Sequence, residues 1–315
     1  MNFCIRVSAG GVISRGKQLG ACLGIFVACC LSMTSSAQVA VAFPSKTGDS
    51  TNTVYIWHSD TLREVQKDSV AIQSLFGHVK LQSEKTIFYC DSLAINHKEN
   101  FIEAFGKVHI NDNDSTDIYS QYMKYFVDTK FIIFKKNVLL KDGRGVLSTE
   151  NLTYDMNQHI GNYLDGGKVV NQKTTVTSRE GTYYADTKDV YFKKDVVLKD
   201  PAYDLTADSL LYNSEQQLAT FITSTFIRDS SGRTIRTSEG FYDLKNHRAQ
   251  FGKRPTIRDG SQTITAEDIH FDDSLGISTA TGNAVFRDTA EGLAVISNSM
   301  IADKKKNTLL ATQKP

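Results

Sequence analysis

The chain has 315 residues, with 36 Lys+Arg against 35 Asp+Glu, 40% hydrophobic residues and 10% aromatics. That apolar share excludes bulk disorder, and the near-zero net charge excludes binding to nucleic acid through a basic surface. Four prolines and one tryptophan exclude Pro-rich and collagen-like classes, while 13 Tyr and 17 Phe favour strands.

Residues 1–37 contain Arg6, Arg15 and Lys17 and no acid. Leu19–Met33 is almost wholly apolar but shorter than the roughly 20 residues that span a bilayer. Small residues follow at Ser35 and Ala37. A basic start, a short apolar core and a small-x-small exit describe a cleavable signal peptide over 1–37. The alternative is a retained membrane anchor facing the periplasm; Cys29 and Cys30 fit a lipobox poorly. Cleavage leaves Cys90 as the only thiol, so no internal disulfide forms, and its setting in Ile87-Phe88-Tyr89-Cys90 predicts a small buried hydrophobe. Residues 38–54, with Pro44, Gly48 and several Ser/Thr, are predicted as a flexible lead-in.

From residue 55 to 312 a period of about 29 residues dominates. One phrase, apolar-x-apolar-x-Asp before a turn, closes on Asp112, Asp142, Asp200, Asp229, Asp259 and Asp288, with Asn171 at the missing step and Ser83 one period before Asp112. A second phrase, a small residue, an acid and a Tyr-containing apolar stretch, recurs around Asp91, Glu150, Asp208, Glu239 and Glu267. Period-two alternation, as in Thr263-Ile264-Thr265-Ala266, predicts half-buried strands, and pairs such as Asp142-Gly143 and Asp200-Pro201 predict turns. The expectation is an all-β protein of about eight units and roughly 16–24 strands, whose two facing sheets run roughly 40–60 Å at about 4.8 Å per strand. No unit covers its own apolar face, so stacking builds the core and leaves open edges at both ends. The weak unit at Gly166–Val170 marks a candidate joint near 166–171.

The order of these phrases resembles the OstA/LptA family of periplasmic lipopolysaccharide-transport proteins. Gly77-His78-Val79-Lys80-Leu81 and Gly106-Lys107-Val108-His109-Ile110 carry the first phrase, Ala207-Asp208-Ser209-Leu210-Leu211-Tyr212-Asn213 the second, and Ala104-Phe105-Gly106 and Ala280-Thr281-Gly282 a third. The resemblance implies an elongated, open, twisted β-jelly-roll, the β-taco. It implies lipopolysaccharide as ligand, with the lipid A acyl chains held between the sheets. It also implies strand addition to inner-membrane LptC-like and outer-membrane LptD-like proteins, and head-to-tail self-association. The implied role is a carrier or bridge moving lipopolysaccharide from inner to outer membrane.

Alternation and recurrence nominate the groove lining: Val79, Leu81, Val108, Ile110, Val138, Leu140, Val196, Leu198, Ile227, Ile257 and Phe286. Phe88, Leu93, Leu152, Leu210, Phe241 and Ile269 are expected to face them. An ordinary sealed sandwich core has the same alternation. The recurring aspartates read as turn caps. The seven histidines form no metal-ligand spacing, and no Gly-rich phosphate loop or G-x-S-x-G is present. No enzyme chemistry, cofactor or metal is therefore expected. The alternatives are an exported structural or adhesive β-solenoid without lipid, and a carbohydrate-active β-helix.

Overall fold

A computed structural model describes residues 39–43, 52–67, 70–143, 145–306 and 308–313. The signal-peptide expectation for 1–37 lies outside the described residues. The described residues form 26 strands and no helix. The first nine are β1 (Val39–Phe43), β2 (Asn52–His58), β3 (Thr61–Lys67), β4 (Val70–Ser83), β5 (Thr86–Asn96), β6 (Phe101–Asp112), β7 (Thr116–Phe126), β8 (Phe131–Asp142) and β9 (Gly145–Asp155). All pairings are antiparallel and join one continuous sheet. Part of the segment expected as a lead-in is ordered: β1 pairs with β2, Val41 opposite Val54, and both side chains are buried.

Each long strand bends near its middle. Register shifts fall between Phe76 and Val79, Tyr89 and Ser92, Phe105 and Val108, and Lys135 and Val138. On alternate strands the bend holds two successive residues at positive φ: Gly77-His78, Gly106-Lys107, Lys136-Asn137, Lys194-Asp195, Lys253-Arg254 and Gly282-Asn283. Such bulges kink a strand and tighten its twist. Gly106 needs its missing Cβ, since that atom would lie 2.6 Å from Asp91 Oδ2. The acids of the second phrase stand along this spine. Glu180 meets Lys194 at 2.5 Å, Glu239 meets Lys253 at 2.8 Å and Glu267 meets Arg254 at 2.8 Å.

Past residue 160 many strands split at the bend into two, as in Ile160–Tyr163 and Gly167–Asn171. This is where the expected joint was placed. Pairing runs through it unbroken: Gly167–Asn171 pairs with β9 on one side and with Thr174–Ser178 on the other. Gly167 and Gly181 are required there, because a Cβ on either would meet the Tyr163 ring at about 2.5 Å or closer.

The bends fold the sheet over onto itself. One half of every crossing joins an aspartate layer, ending in the turns after Ser83, Asp112, Asp142 and Asn171. The other half joins a tyrosine layer, ending in the turns after Asn96, Asp155 and Asn213. Here Asn96, Asp155 and Asn213 accept hydrogen bonds from backbone N–H groups two and three residues on. Every crossing thus contributes to both layers. About 17 crossings at roughly 4.8 Å give each layer a run near 80 Å. That exceeds the 40–60 Å expected from sharing strands between two sheets.

Candidate functional site

The interior between the layers has a closed spine, where the chain is continuous, and a mouth between the two rows of turns. Inward residues follow from period two: if Val79 and Leu81 face inward, Lys80 faces out. Val79, Leu81, Phe88, Val108, Ile110, Val138, Leu140, Val196, Leu198, Ile227 and Ile257 are buried from the aspartate layer. Leu93, Leu152, Leu210 and Ile269 are buried opposite them in the tyrosine layer. Phe88 belongs to the aspartate layer, paired with Ile110; it meets the tyrosine layer by stacking on Tyr125 at 5.3 Å.

Phe88 thus departs from the expectation that it faces Ile110, and two further lining residues differ. Phe286 is half-buried and packs at the margin of the core. Phe241 is a correction: it lies on the outer face. Its neighbours Gly240 and Tyr242 take the inward positions, and its cross-strand partners Thr220 and Gln250 are outward residues. The sequence phrase aligned Phe241 with Leu210, but the two-residue period puts Gly240 in that place.

The mouth is closed by a row of side chains that sequence reasoning missed. Tyr125, Tyr154, Tyr183, Tyr212 and Tyr242 occupy one register row of the tyrosine layer, joined through Ile132, Gly161, Val190 and Ala219. Tyr125 lies beside the Ser83 side chain. Tyr154 donates to Asp112 Oδ2 at 3.0 Å, and Tyr183 donates to Asp142 Oδ2. Asn171 donates to the Tyr212 hydroxyl at 3.3 Å and to the Ser214 carbonyl at 2.6 Å. Lys130–Glu84 at 2.6 Å and Lys188–Asp142 at 2.7 Å cross the same gap. Burial first, then the adjacent carboxylates, pushes the phenols of Tyr154 and Tyr183 far above their ordinary value. Burial also pushes the Cys90 thiol up to about 12, which leaves it inert.

The turn-cap reading of the aspartates therefore holds only in part. Asp200, Asp229 and Asp288 do accept turn N–H groups, at 3.0 Å each from Ala202, Ser231 and Ala290. Asp112 and Asp142 are instead 6% and 7% exposed and spend their carboxylates across the mouth. The signal that could have found the row is its spacing: 125, 154, 183, 212 and 242 repeat the period of the aspartates.

Toward the C-terminus the row changes. Tyr242 donates to Asp273 of its own layer at 3.0 Å and packs at a tilt against Tyr203, ring centres 4.4 Å apart. The next register position is Phe271, which has no hydroxyl; the Arg233 guanidinium sits 4.7 Å from its ring centre. Beyond it the row continues through Ser278, Ala302 and Leu309. There the layers part around a cleft of about 480 Å³, floored by Ile257, Ile264, Phe271 and Phe286 and rimmed by Asp259, Lys304 and Leu309.

Among the described residues no group of His, Cys, Asp or Glu is placed to hold a metal ion, and no helix is long and apolar enough to cross a membrane.

Comparison with known families places this architecture. Residues 51–208 match the model of the OstA-like protein family, and residues 149–279 match the LptC-related lipopolysaccharide-assembly family. The chain belongs to the OstA-like family. It is thus a member of the OstA/LptA group of lipopolysaccharide-transport proteins, as its repeat phrases imply. No curated protein matches it. Among solved structures it is similar to LptH, the LptA-homologous periplasmic component of the lipopolysaccharide transport device of Pseudomonas aeruginosa. The identity is 10%, over 35% of this chain and 83% of that one, with a TM-score of 0.31. The two family matches overlap across residues 149–208, the stretch that contains the first split strands, Ile160–Tyr163, Gly167–Asn171, Thr174–Ser178 and Glu180–Tyr184.

Proposed function

We propose that this OstA-like protein is a periplasmic carrier that takes lipopolysaccharide from the inner toward the outer membrane, with the acyl chains held between its two layers. The observation that carries this reading is the asymmetry of the interior. Its spine is covalent and its mouth is held only by side-chain bonds, and near the C-terminus the apolar floor is already open. An acyl chain of about twelve carbons loses roughly 8–10 kcal/mol if it must cross water unaided, at about 0.8 kcal/mol per methylene. A trough whose apolar positions recur every 29 residues or so lets each step exchange one apolar contact for a similar one.

The free edges suit end-to-end strand addition. Among the described residues β3 pairs only with β4, and Thr308–Thr312 only with Leu293–Asp303, so each end offers a strand with one unpaired edge. LptC-like and LptD-like proteins and a second copy of this chain are the partners such edges would take.

The filled interior from β4 to β9 favours the alternative of an exported β scaffold, since buried side chains already occupy that space. Mass spectrometry of the mature protein purified from its own envelope separates the two. A carrier co-purifies with lipopolysaccharide near one molecule per chain. A lipid-free preparation, which also fails to take up added lipopolysaccharide, removes the carrier reading.

A further inference from the structure

We propose that the tyrosine row is a latch that shuts the mouth from Ser83 to Asn171, and that acyl chains enter only where the latch ends, at the cleft beside Phe271. The proposal rests on the carrier reading and assigns its port of entry.

Three observations carry it. First, the rungs are a single repeating device. Tyr154, Tyr183 and Tyr212 each reach a polar residue one and a half periods earlier in the chain: Asp112, Asp142 and Asn171. Second, the device fails in order. At the next step Tyr242 turns to Asp273 in its own layer, and at the following one the ring is Phe271, which offers nothing to Asp229. Asp229 instead holds Arg233 at 2.8 Å. Third, the cleft begins where the rungs stop. Its floor residues Ile264, Phe271 and Phe286 are half-buried, whereas Ile110 and Leu140, beneath the latch, are closed off.

The occupant follows from the floor. Ile257, Ile264, Phe271 and Phe286 present hydrocarbon and aromatic surface that suits an aliphatic chain, and the base beside them, Arg233, is already paired with Asp229. The rim, with Asp259 and Lys304, keeps polar parts of the lipid in water. A chain seated there moves toward the N-terminus only by parting Tyr212 from Asn171, then Tyr183 from Asp142, one rung at a time. The latch is therefore a lateral gate that admits lipid from one end.

The test places a diazirine side chain of leucine size at Ile264 or at Leu140 and adds isotope-labelled lipopolysaccharide to the full mature chain. The expected result is labelling at Ile264 at least tenfold above that at Leu140. The triple variant Tyr154→Phe, Tyr183→Phe, Tyr212→Phe keeps the three rings and removes all three rungs, and labelling at Leu140 is then expected to rise at least fivefold. Phe271→Tyr adds a hydroxyl opposite Asp229 and is expected to cut labelling at Ile264 severalfold. Because these changes push in opposite directions, loss of fold cannot imitate the pattern. Equal labelling at both positions in the unaltered chain, or labelling at Leu140 that ignores the triple variant, overturns the latch. No labelling at any position in any variant overturns the carrier reading beneath it.

Discussion

At the residue scale the informative groups are the buried phenols. Each Tyr–carboxylate rung has a net value of about 1–3 kcal/mol, since a hydrogen bond to a charged group exceeds a neutral one. Losing the hydroxyl also leaves the carboxylate of Asp112 or Asp142 with one partner fewer in a buried place. Tyr183→Phe is expected to lower stability by about 1–2 kcal/mol, read as a shift in the urea midpoint at neutral pH. Its pH dependence has a definite sign. The folded phenol has its ionisation raised far above the ordinary value near 10, so an unfolded tyrosine ionises first. The contribution is complete below about pH 10 and is lost as pH rises beyond it, by about 1.4 kcal/mol per pH unit for each such tyrosine. The parent chain should therefore lose stability more steeply than Tyr183→Phe between about pH 10 and 11.5. Parallel profiles for the two chains would mean that the phenol is free to ionise in the folded state.

At the element scale the sequence exposed the alternation and most turns but not the bend. Thr263-Ile264-Thr265 reads as a strand because inward and outward residues alternate, and Asp259-Gly260 reads as a turn because Gly260 takes φ +56°. Nothing comparable marks Lys136-Asn137 or Lys194-Asp195, where ordinary residues adopt positive φ because the fold-over demands it. The lining was legible because burial follows period two. It failed at Phe241, where the phrase is one residue shorter between its acid and its tyrosine, so Gly240 takes the inward place and the aromatic ring points outward. That glycine supplies a sharp test. A Cβ on Gly240, at φ +134°, would lie 2.0 Å from the Gln250 carbonyl oxygen, which is backbone and cannot swing aside. Gly232, at φ +90°, has open space around the same atom. Gly240→Ala is expected to cost about 3 kcal/mol or more and Gly232→Ala about 1 kcal/mol, measured by thermal melting. Equal costs would show that the backbone at Gly240 relaxes without penalty.

At the scale of the whole molecule the fold behaves as a one-dimensional stack, and its period is therefore a unit that can be removed. Each crossing pairs only with the crossings before and after it in the chain, so stability is close to a sum of intrinsic and neighbour terms. Deleting residues 116–144 removes β7 and β8 together, from one aspartate turn to the next. β9 then follows Ser115 in the phase that β7 held, and its inward residues Leu147, Leu152 and Tyr154 replace Ile118, Met123 and Tyr125. The latch also re-forms, because every rung joins positions a fixed distance apart. Tyr154 moves opposite Ser83, and Tyr183 moves opposite Asp112. The shortened chain is expected to keep its β-sheet circular dichroism and to melt cooperatively within about 10 °C of the parent, as a small loss of neighbour terms predicts. Replacing Asp112 by Asn in the shortened chain also perturbs the Thr86–Asp112 hydrogen bond, so it should weaken the chain more while Tyr183 is present than without it, and the Asp112/Tyr183 double-mutant cycle isolates the re-formed rung. A deletion of 14 residues instead of a whole period joins the two layers out of phase and should not fold. If the half-period deletion were as stable as the whole-period one, the interior would be held by unspecific collapse, and neither the latch nor a regular apolar track could exist within it.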